Sequence, residues 1–299
     1  MIFPSSASAI ASAAELLRGG ELVAFPTETV YGLGANALDE TAVRRIYEAK
    51  GRPSTSPLIV HVASFEMARE LASDWPEAAE ALAQAFWPGP LTLVVPKRPH
   101  VPDTVTAGLD SVGLRMPAHD VALALIRATS LPLAAPSANR FTELSPTTAE
   151  HVRRGLGERV AMILDGGPCT VGIESTVVSV IGGRPVLLRP GAITAAQLLA
   201  VVGPLAEAAA STGPAHLSPG LHARHYSPRT PLLIVGRDEP MPGMRVARVA
   251  AQAIPAAELY ATLHRLDDEG YDAILVELPP DTPEWAAVRD RLTRASAGR

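Results

Sequence analysis

The chain has 299 residues, 47% of them hydrophobic and 19% charged, with a formal net charge of −5. That balance excludes a disordered polyelectrolyte, and it argues against sequence-independent nucleic-acid binding as the main activity, which needs a dominant positive field. The one cysteine, Cys169, excludes an internal disulfide framework and a cysteine-only metal cluster; with no second thiol and no nearby histidine it reads as an unreactive small residue.

Residues 1–20 place Ile10, Ala13, Ala14 and Leu17 at helical spacing before a Gly19-Gly20 stop and lack a basic leader, so they predict an amphipathic helix rather than a secretion signal. No uninterrupted apolar run reaches ~18 residues, so no membrane span is expected and the cytoplasm is the expected compartment. A strand over 22–25 breaks at Pro26 and is followed by Thr-Glu-Thr, then Tyr-Gly-Leu-Gly at 31–34. A helix over 39–49 ends on Lys50-Gly51-Arg52-Pro53, and a second strand, 58–62, carries His61. Strand, polar turn, glycines, helix and cationic exit is the layout of an anion site on an α/β sheet.

Helices follow over 65–71 and 77–86, then a strand over 91–95, a loop over 96–110 and a strand ending in Arg115. A helix over 121–128 leads to a short strand, 133–135, that feeds Ser137-Ala138-Asn139. Ser145-Pro146 opens another helix, the proline suiting its first turn. Strands over 161–164, 175–180 and 185–188 come next, the last two joined as a hairpin at Gly182-Gly183, and a helix over 195–202 closes the series. Strands and helices mix without strict alternation, so a twisted mixed sheet flanked by helices is expected over 1–203. Residues 204–230, rich in Pro, Gly, Ala, Ser and His, read as a linker of a length that is functional or disordered. Strand, helix, strand and helix over 232–235, 256–266, 273–276 and 284–295 then make a small α/β, Rossmann-like domain over 231–299.

Gly32-Leu33-Gly34-Ala35-Asn36-Ala37 matches G-x-G-x-x-A, but no acidic residue closes the next strand, so tight backbone turning beside a ligand explains the glycines better than a dinucleotide site. Lys50 and Arg52 could simply cap a helix; with Gly51 and a fixed loop they suit a polyphosphate better. Arg115 and Arg189 each end an apolar strand and point toward the crevice where such sheets bind ligands. His61 is equally readable as a core histidine or a ligand contact. Ser137, Asn139 and Ser145 are small donors suited to phosphate or ribose. His222 and His225 form H-x-x-H without a nearby carboxylate, so no metal site is assigned.

In this order PTETVYGLG (26–34), KGRP (50–53), SPLIVHV (56–62), WPGPLT (87–92), VGLRMP (112–117), APSAN (135–139), SPTT (145–148), ILDGG (163–167), ESTVV (174–178) and LLRPGAIT (187–194) resemble the YrdC-like family. The closer resemblance is to its two-domain threonylcarbamoyl-AMP synthases, whose linker motif SPGLHARHYSP (218–228) resembles. Ser56 stands where that family usually has Asn, and Arg140-Phe141-Thr142 replaces its usual Ser-Gly.

The resemblance implies condensation of L-threonine, bicarbonate or CO2, and ATP with Mg²⁺ into L-threonylcarbamoyl-AMP and pyrophosphate. It also implies downstream tRNA threonylcarbamoyl-transfer machinery as the consumer, with weak RNA binding conceivable. Carried onto this chain, Thr29, His61, Arg115, Ala135 and Ser175 would hold threonine. Lys50, Arg52, Ser56, Ser111, Ser137, Asn139, Ser145, Arg189 and Tyr226 would line the ATP site, with Lys50, Arg52 and Arg115 acting electrostatically in catalysis. Tyr226 is expected to close over the site as a lid on a labile carbamate. An RNA-binding module and a carbamoyltransferase-type enzyme with another acceptor are the competing readings.

Overall fold

The computed structural model describes residues 1–206, 225–236, 241 and 243–297. The chain opens with β1 (Ile2–Pro4), α1 (Ala7–Arg18), β2 (Val23–Phe25), β3 (Gly32–Asn36), α2 (Glu40–Lys50) and β4 (Ile59–His61). It continues through α3 (Phe65–Leu71), α4 (Glu77–Phe86), β5 (Leu91–Pro96), the single turn α5 (Asp103–Thr106), β6 (Ser111–Arg115), α6 (Asp120–Thr129) and β7 (Leu133–Ala134). Then come α7 (Ala149–Leu156), β8 (Met162–Asp165), β9 (Thr176–Ser179), β10 (Val186–Arg189) and α8 (Ala195–Val202). A later segment adds β11 (Leu232–Ile234), β12 (Val246–Ala250), α9 (Leu259–Asp268), β13 (Ala273–Glu277) and α10 (Ala286–Ser296).

Local chemistry explains why these elements start and stop where they do. Asp39 accepts from the Thr41 and Ala42 N–H groups and opens α2, while Gly51, at φ 62°, closes it in the left-handed conformation that costs glycine least. Thr194 and Gln197 make a reciprocal capping box at the start of α8. The first eighteen segments build one ten-stranded sheet in the order β1-β8-β2-β3-β7-β4-β6-β5-β9-β10. Parallel pairs (β4 with β6, β5 with β9) alternate with antiparallel ones (β2 with β3, β9 with β10), so the sheet is mixed. A separate parallel sheet, β11-β13-β12, carries α9 and α10.

Three details differ from the expectations above. Gly32 and Gly34 lie inside β3, not in a turn: a Cβ on Gly34 would sit 2.7 Å from the Phe25 ring, so glycine is there to let that ring lie across the strand. Ser145-Pro146 does not open a helix; α7 begins three residues later, capped by the Thr148 hydroxyl on the His151 N–H. Residues 246–250, unassigned from sequence, form the edge strand β12, where Ala247 and Val249 alternate inward.

One large apolar cluster fills the space between the ten-stranded sheet and its helices. A second cluster joins Leu232 and Val249 of the small sheet, and Leu263 and Leu292 of α9 and α10, to Val30, Leu144 and Ile173 from the large-sheet side, with Tyr226 between them. Apolar burial therefore seats the small sheet beside the polar turn 26–31. That junction is where the functional side chains gather. No helix among the described residues is long and apolar enough to cross a membrane.

Candidate active site

The polar turn after β2 is held by its own threonines. Thr27 Oγ1 donates to the Val30 carbonyl at 2.6 Å and shares a 2.9 Å hydrogen bond with Thr29 Oγ1. β4 and β6 run parallel with His61 opposite Arg115, so register alone makes them neighbours. Arg115 Nε donates to the Gly89 carbonyl, and its Nη2 lies 2.7 Å from Glu28 Oε1. Those two atoms are close but out of line for a hydrogen bond, so charge alone holds the pair. Burial, and then Arg115, hold His61 well below the usual imidazole range, which keeps the ring neutral at pH 7.

Beyond α2, Arg52 Nη2 donates to Ser56 Oγ at 2.5 Å and to the Pro57 carbonyl at 2.9 Å. Burial lowers its pKa to about 10, so it stays cationic at neutral pH. Lys50 Nζ donates to the Ser137 and Asn139 carbonyls at 2.5 and 2.6 Å and to Asn139 Oδ1 at 3.3 Å. Burial, and then Arg52, draw its pKa well down, while these three acceptors match the three donors of an ammonium. At the end of β10, Arg189 Nε and Nη2 both donate to the Ser175 carbonyl, and Nη2 reaches Ser175 Oγ at 3.2 Å.

Thr29, Arg52, His61, Arg115, Ala135, Ser137, Ser175, Arg189 and Tyr226 line one cavity with about 50 Å³ of free space. The other five expected phosphate-side residues stand back from it. Lys50 and Asn139 bond each other, Ser56 braces Arg52, and Ser145 Oγ donates to Glu174 Oε1 at 2.5 Å. Ser111 lies apart, in a narrow crevice with Leu58, Thr92 and Gly113. Cys169 is buried, its thiol pushed up to about 12 by that burial, which agrees with an unreactive residue.

Tyr226 closes the cavity. It is 1% exposed, takes φ 60°, and its hydroxyl makes no hydrogen bond among the described residues. Burial, and then Glu174, raise its pKa, so it remains an O–H donor. The backbone around it is pinned where the Ser227 N–H donates to the Thr142 carbonyl at 2.8 Å. Thr142, at φ 70°, is itself in the left-handed region, so two strained non-glycine residues meet here, each at a cost of about 1–3 kcal/mol. Phe141 stands edge-on to His225 at 6.0 Å. The loop 140–142 thus docks the segment that carries Tyr226. Of the linker motif 218–228, residues 218–224, including His222, lie outside the described residues.

Reading the sequence missed four residues here. Glu28 and Glu174 sit inside quoted motifs, one position from Thr29 and Ser175, and that adjacency was the available signal. Glu174 lines the cavity and accepts from Ser145, Tyr260 and Arg291. Burial opposes its charge, yet Arg291, Arg189 and the Ser145 hydroxyl outweigh that and hold the carboxyl below its usual range. Tyr260 and Arg291 reach it from α9 and α10, and no local pattern marks either. Glu174 on the cavity and Glu28 behind Arg115 are each engaged by an arginine, and no group of three His, Cys, Asp or Glu among the described residues could hold a metal ion. The arrangement therefore offers guanidinium, hydroxyl and amide donors to a multiply anionic ligand, and a neutral imidazole beside them.

Comparison with known proteins gives that geometry a family. The Sua5–YciO–YrdC profile, described as "Telomere recombination", matches residues 15–191, and one described as "Threonylcarbamoyl-AMP synthase, C-terminal domain" matches 193–297. The chain is similar to the threonylcarbamoyl-AMP synthase of Bacillus subtilis, with 46% identity over 97% of this chain and 93% of that one. It is similar to the enzyme of the same name from Pyrococcus abyssi, with 43% identity over 96% of this chain and 94% of that one. The crystal structure of P. abyssi Sua5 complexed with L-threonine superposes with a TM-score of 0.89 at 42% identity, covering 96% of this chain and 94% of that chain. The chain belongs to the Sua5–YciO–YrdC family and carries the threonylcarbamoyl-AMP synthase C-terminal domain.

Proposed function

We propose that this protein is a threonylcarbamoyl-AMP synthase, joining L-threonine, bicarbonate or CO2, and ATP into L-threonylcarbamoyl-AMP with release of pyrophosphate. The observation that carries this reading is the convergence of Arg52, Arg115 and Arg189 on one cavity closed by Tyr226. Threonine is assigned to the wall of Thr29, His61, Arg115, Ala135 and Ser175, with Arg115 on its carboxylate. The nucleotide is assigned to Arg52, Ser137, Arg189 and Tyr226. Lys50, Asn139 and Ser56 act from behind, Lys50 by fixing the 137–139 loop and Ser56 by fixing Arg52.

The chemistry needs little beyond charge and exclusion of water. The threonine amine adds to CO2 and loses a proton, giving a carbamate; its oxygen bonds to the α-phosphorus as the bond to pyrophosphate breaks. An ionised carbamate is already nucleophilic, so no protein nucleophile is required. Fixed guanidinium donors stabilise the charge that builds on the phosphoryl oxygens. Mg²⁺ would arrive with ATP and help neutralise the phosphate charge, since no carboxylate cluster among the described residues could hold it. A nucleotide-sized ligand wants roughly 300–1,000 Å³, well above the free space present, so the Tyr226 segment must move aside for ATP to enter and return afterwards. Closed, it shields the carbamate from water. The 1–203, 204–230 and 231–299 division is retained as catalytic part, lid and small domain, residues 207–224 of the lid lying outside the described residues. The product is passed to tRNA threonylcarbamoyl-transfer machinery, and the cytoplasm is the proposed compartment.

The test is pyrophosphate release from ATP with and without L-threonine and bicarbonate. Release strictly dependent on both, and at least about a hundredfold lower in Arg52→Ala, is the expected result. Threonine-independent release would indicate another acceptor, and RNA binding without turnover would overturn the enzyme reading.

A further inference from the structure

The small sheet places one cation where the proposed phosphate site is most crowded. Arg291, on α10, is 1% exposed. Its Nε donates to Glu174 Oε2 at 2.8 Å, and its Nη1 to the Pro190 carbonyl at 3.0 Å and to Asp290 Oδ2 at 2.8 Å. The guanidinium carbon lies 5.3 Å from the centre of the Tyr226 ring, within cation–π range. The Tyr260 hydroxyl adds a second grip on Glu174, 3.0 and 3.2 Å from its two oxygens. Arg291 therefore touches the cavity's carboxylate, the residue that follows Arg189, and the ring that closes the cavity.

We infer that Arg291 is a positioning residue for adenylate formation: it holds Glu174 away from Arg189 and seats the Tyr226 ring over the nucleotide, so the small domain completes the active site. The inference rests on the functional reading above. A carboxylate inside a phosphate site repels the ligand and competes for the cations that should bind it. Arg291 answers both problems, because a planar guanidinium can bond Glu174 through its edge while its face lies toward an aromatic ring. Without it, Glu174 would recruit Arg189, and Tyr226 would lose the face on which it rests. The defect should then fall on ATP, whose phosphates meet Arg189 and Tyr226, and largely spare threonine, whose carboxylate is assigned to Arg115.

The experiment compares Arg291→Met, Arg291→Lys, Tyr226→Ala and the Arg291→Met/Tyr226→Ala double variant in threonine-dependent pyrophosphate release. For Arg291→Met, KM for ATP should rise about tenfold or more while KM for threonine stays within about twofold. Arg291→Lys keeps the charge but loses the planar fork, so it should recover only part of the loss in KM for ATP. Because part of the Arg291 effect passes through Tyr226, the double variant should fall short of the product of the two single effects. Multiplying effects, or equal losses toward both substrates, would overturn the inference. If Arg291→Met does not fold, Tyr260→Phe removes a single hydroxyl from Glu174 and should raise KM for ATP alone by about threefold. An unchanged KM for ATP in both Tyr260→Phe and Arg291→Lys, with altered threonine dependence, would also overturn it. An unmodified protein that makes no adenylate would overturn the functional reading and this inference with it, whereas full activity in Arg291→Met would overturn this inference alone.

Discussion

Two buried arginine–glutamate pairs face the same cavity and are built differently. Glu28 and Arg115 both belong to the large-sheet side, approach to 2.7 Å, and make no aligned hydrogen bond with each other. Neither Glu28 oxygen has a hydrogen-bond partner among the described residues. Glu174 and Arg291 come from the two sheets, and there the carboxylate accepts from three side chains. Desolvating two charges is costly, and Coulomb attraction repays it only when the remaining lone pairs and protons are also satisfied. The second pair comes closer to that condition, with only Arg291 Nη2 left without a hydrogen bond among the described residues, and behaves as a fixed joint. The first does not, and leaves Arg115 Nη2, on the proposed substrate wall, with a donor to spare.

Breaking the first pair should have the largest effect. Arg115→Ala would leave Glu28 buried with no cation beside it, at a cost of about 3–5 kcal/mol, and should abolish threonine-dependent turnover. Urea unfolding monitored by circular dichroism, alongside the pyrophosphate assay, measures both. A loss below about 1 kcal/mol would mean that Glu28 was already compensated.

Glu174→Gln should cost less, about 1–3 kcal/mol, because the amide still accepts from Tyr260 and Ser145 while Arg291 keeps Asp290 and Pro190. The same unfolding series checks it. A cost equal to that of Arg115→Ala would erase the distinction between joint and substrate wall.

The smallest effect should come with acid, at a histidine pair beside the joint. His151 on α7 stacks on His264 on α9 at 3.9 Å between ring centres, and His264 Nε2 meets the Ser145 carbonyl. Burial, and then His264, hold His151 down to about 4; burial lowers His264 as well. Both folded-state values lie below the unfolded one, so their contribution is present above about pH 6.5 and is lost as the pH falls toward 4. Between pH 7.5 and 5 the urea midpoint should drop in the unmodified protein and drop less in His151→Gln. Equal drops in both would remove the histidine pair from the account.

How much of this was legible beforehand follows from what each feature depends on. α3, α4 and α8 take the bounds read from sequence, and Arg115 and Arg189 end their strands as expected, because apolar runs, caps and proline stops act within a few residues. Gly32 and Gly34 were misread as a turn because their reason is the Phe25 ring on the neighbouring strand. β12 was missed because only alternation over five residues marks it, at a sheet edge. Lys50 resembled a phosphate ligand from its neighbours in the chain, and only folding shows it spending its donors on the 137–139 loop.

The sequence by itself determined most of the secondary elements, the mixed α/β class and the set of cations and hydroxyls available to an anionic substrate, since all of these rest on local preference and composition. Tertiary structure decided which of them share one cavity, that Tyr226 closes it, and that Glu174 answers to an arginine 117 residues away. Contacts at that separation depend on how the two sheets pack, and no short stretch of chain encodes that.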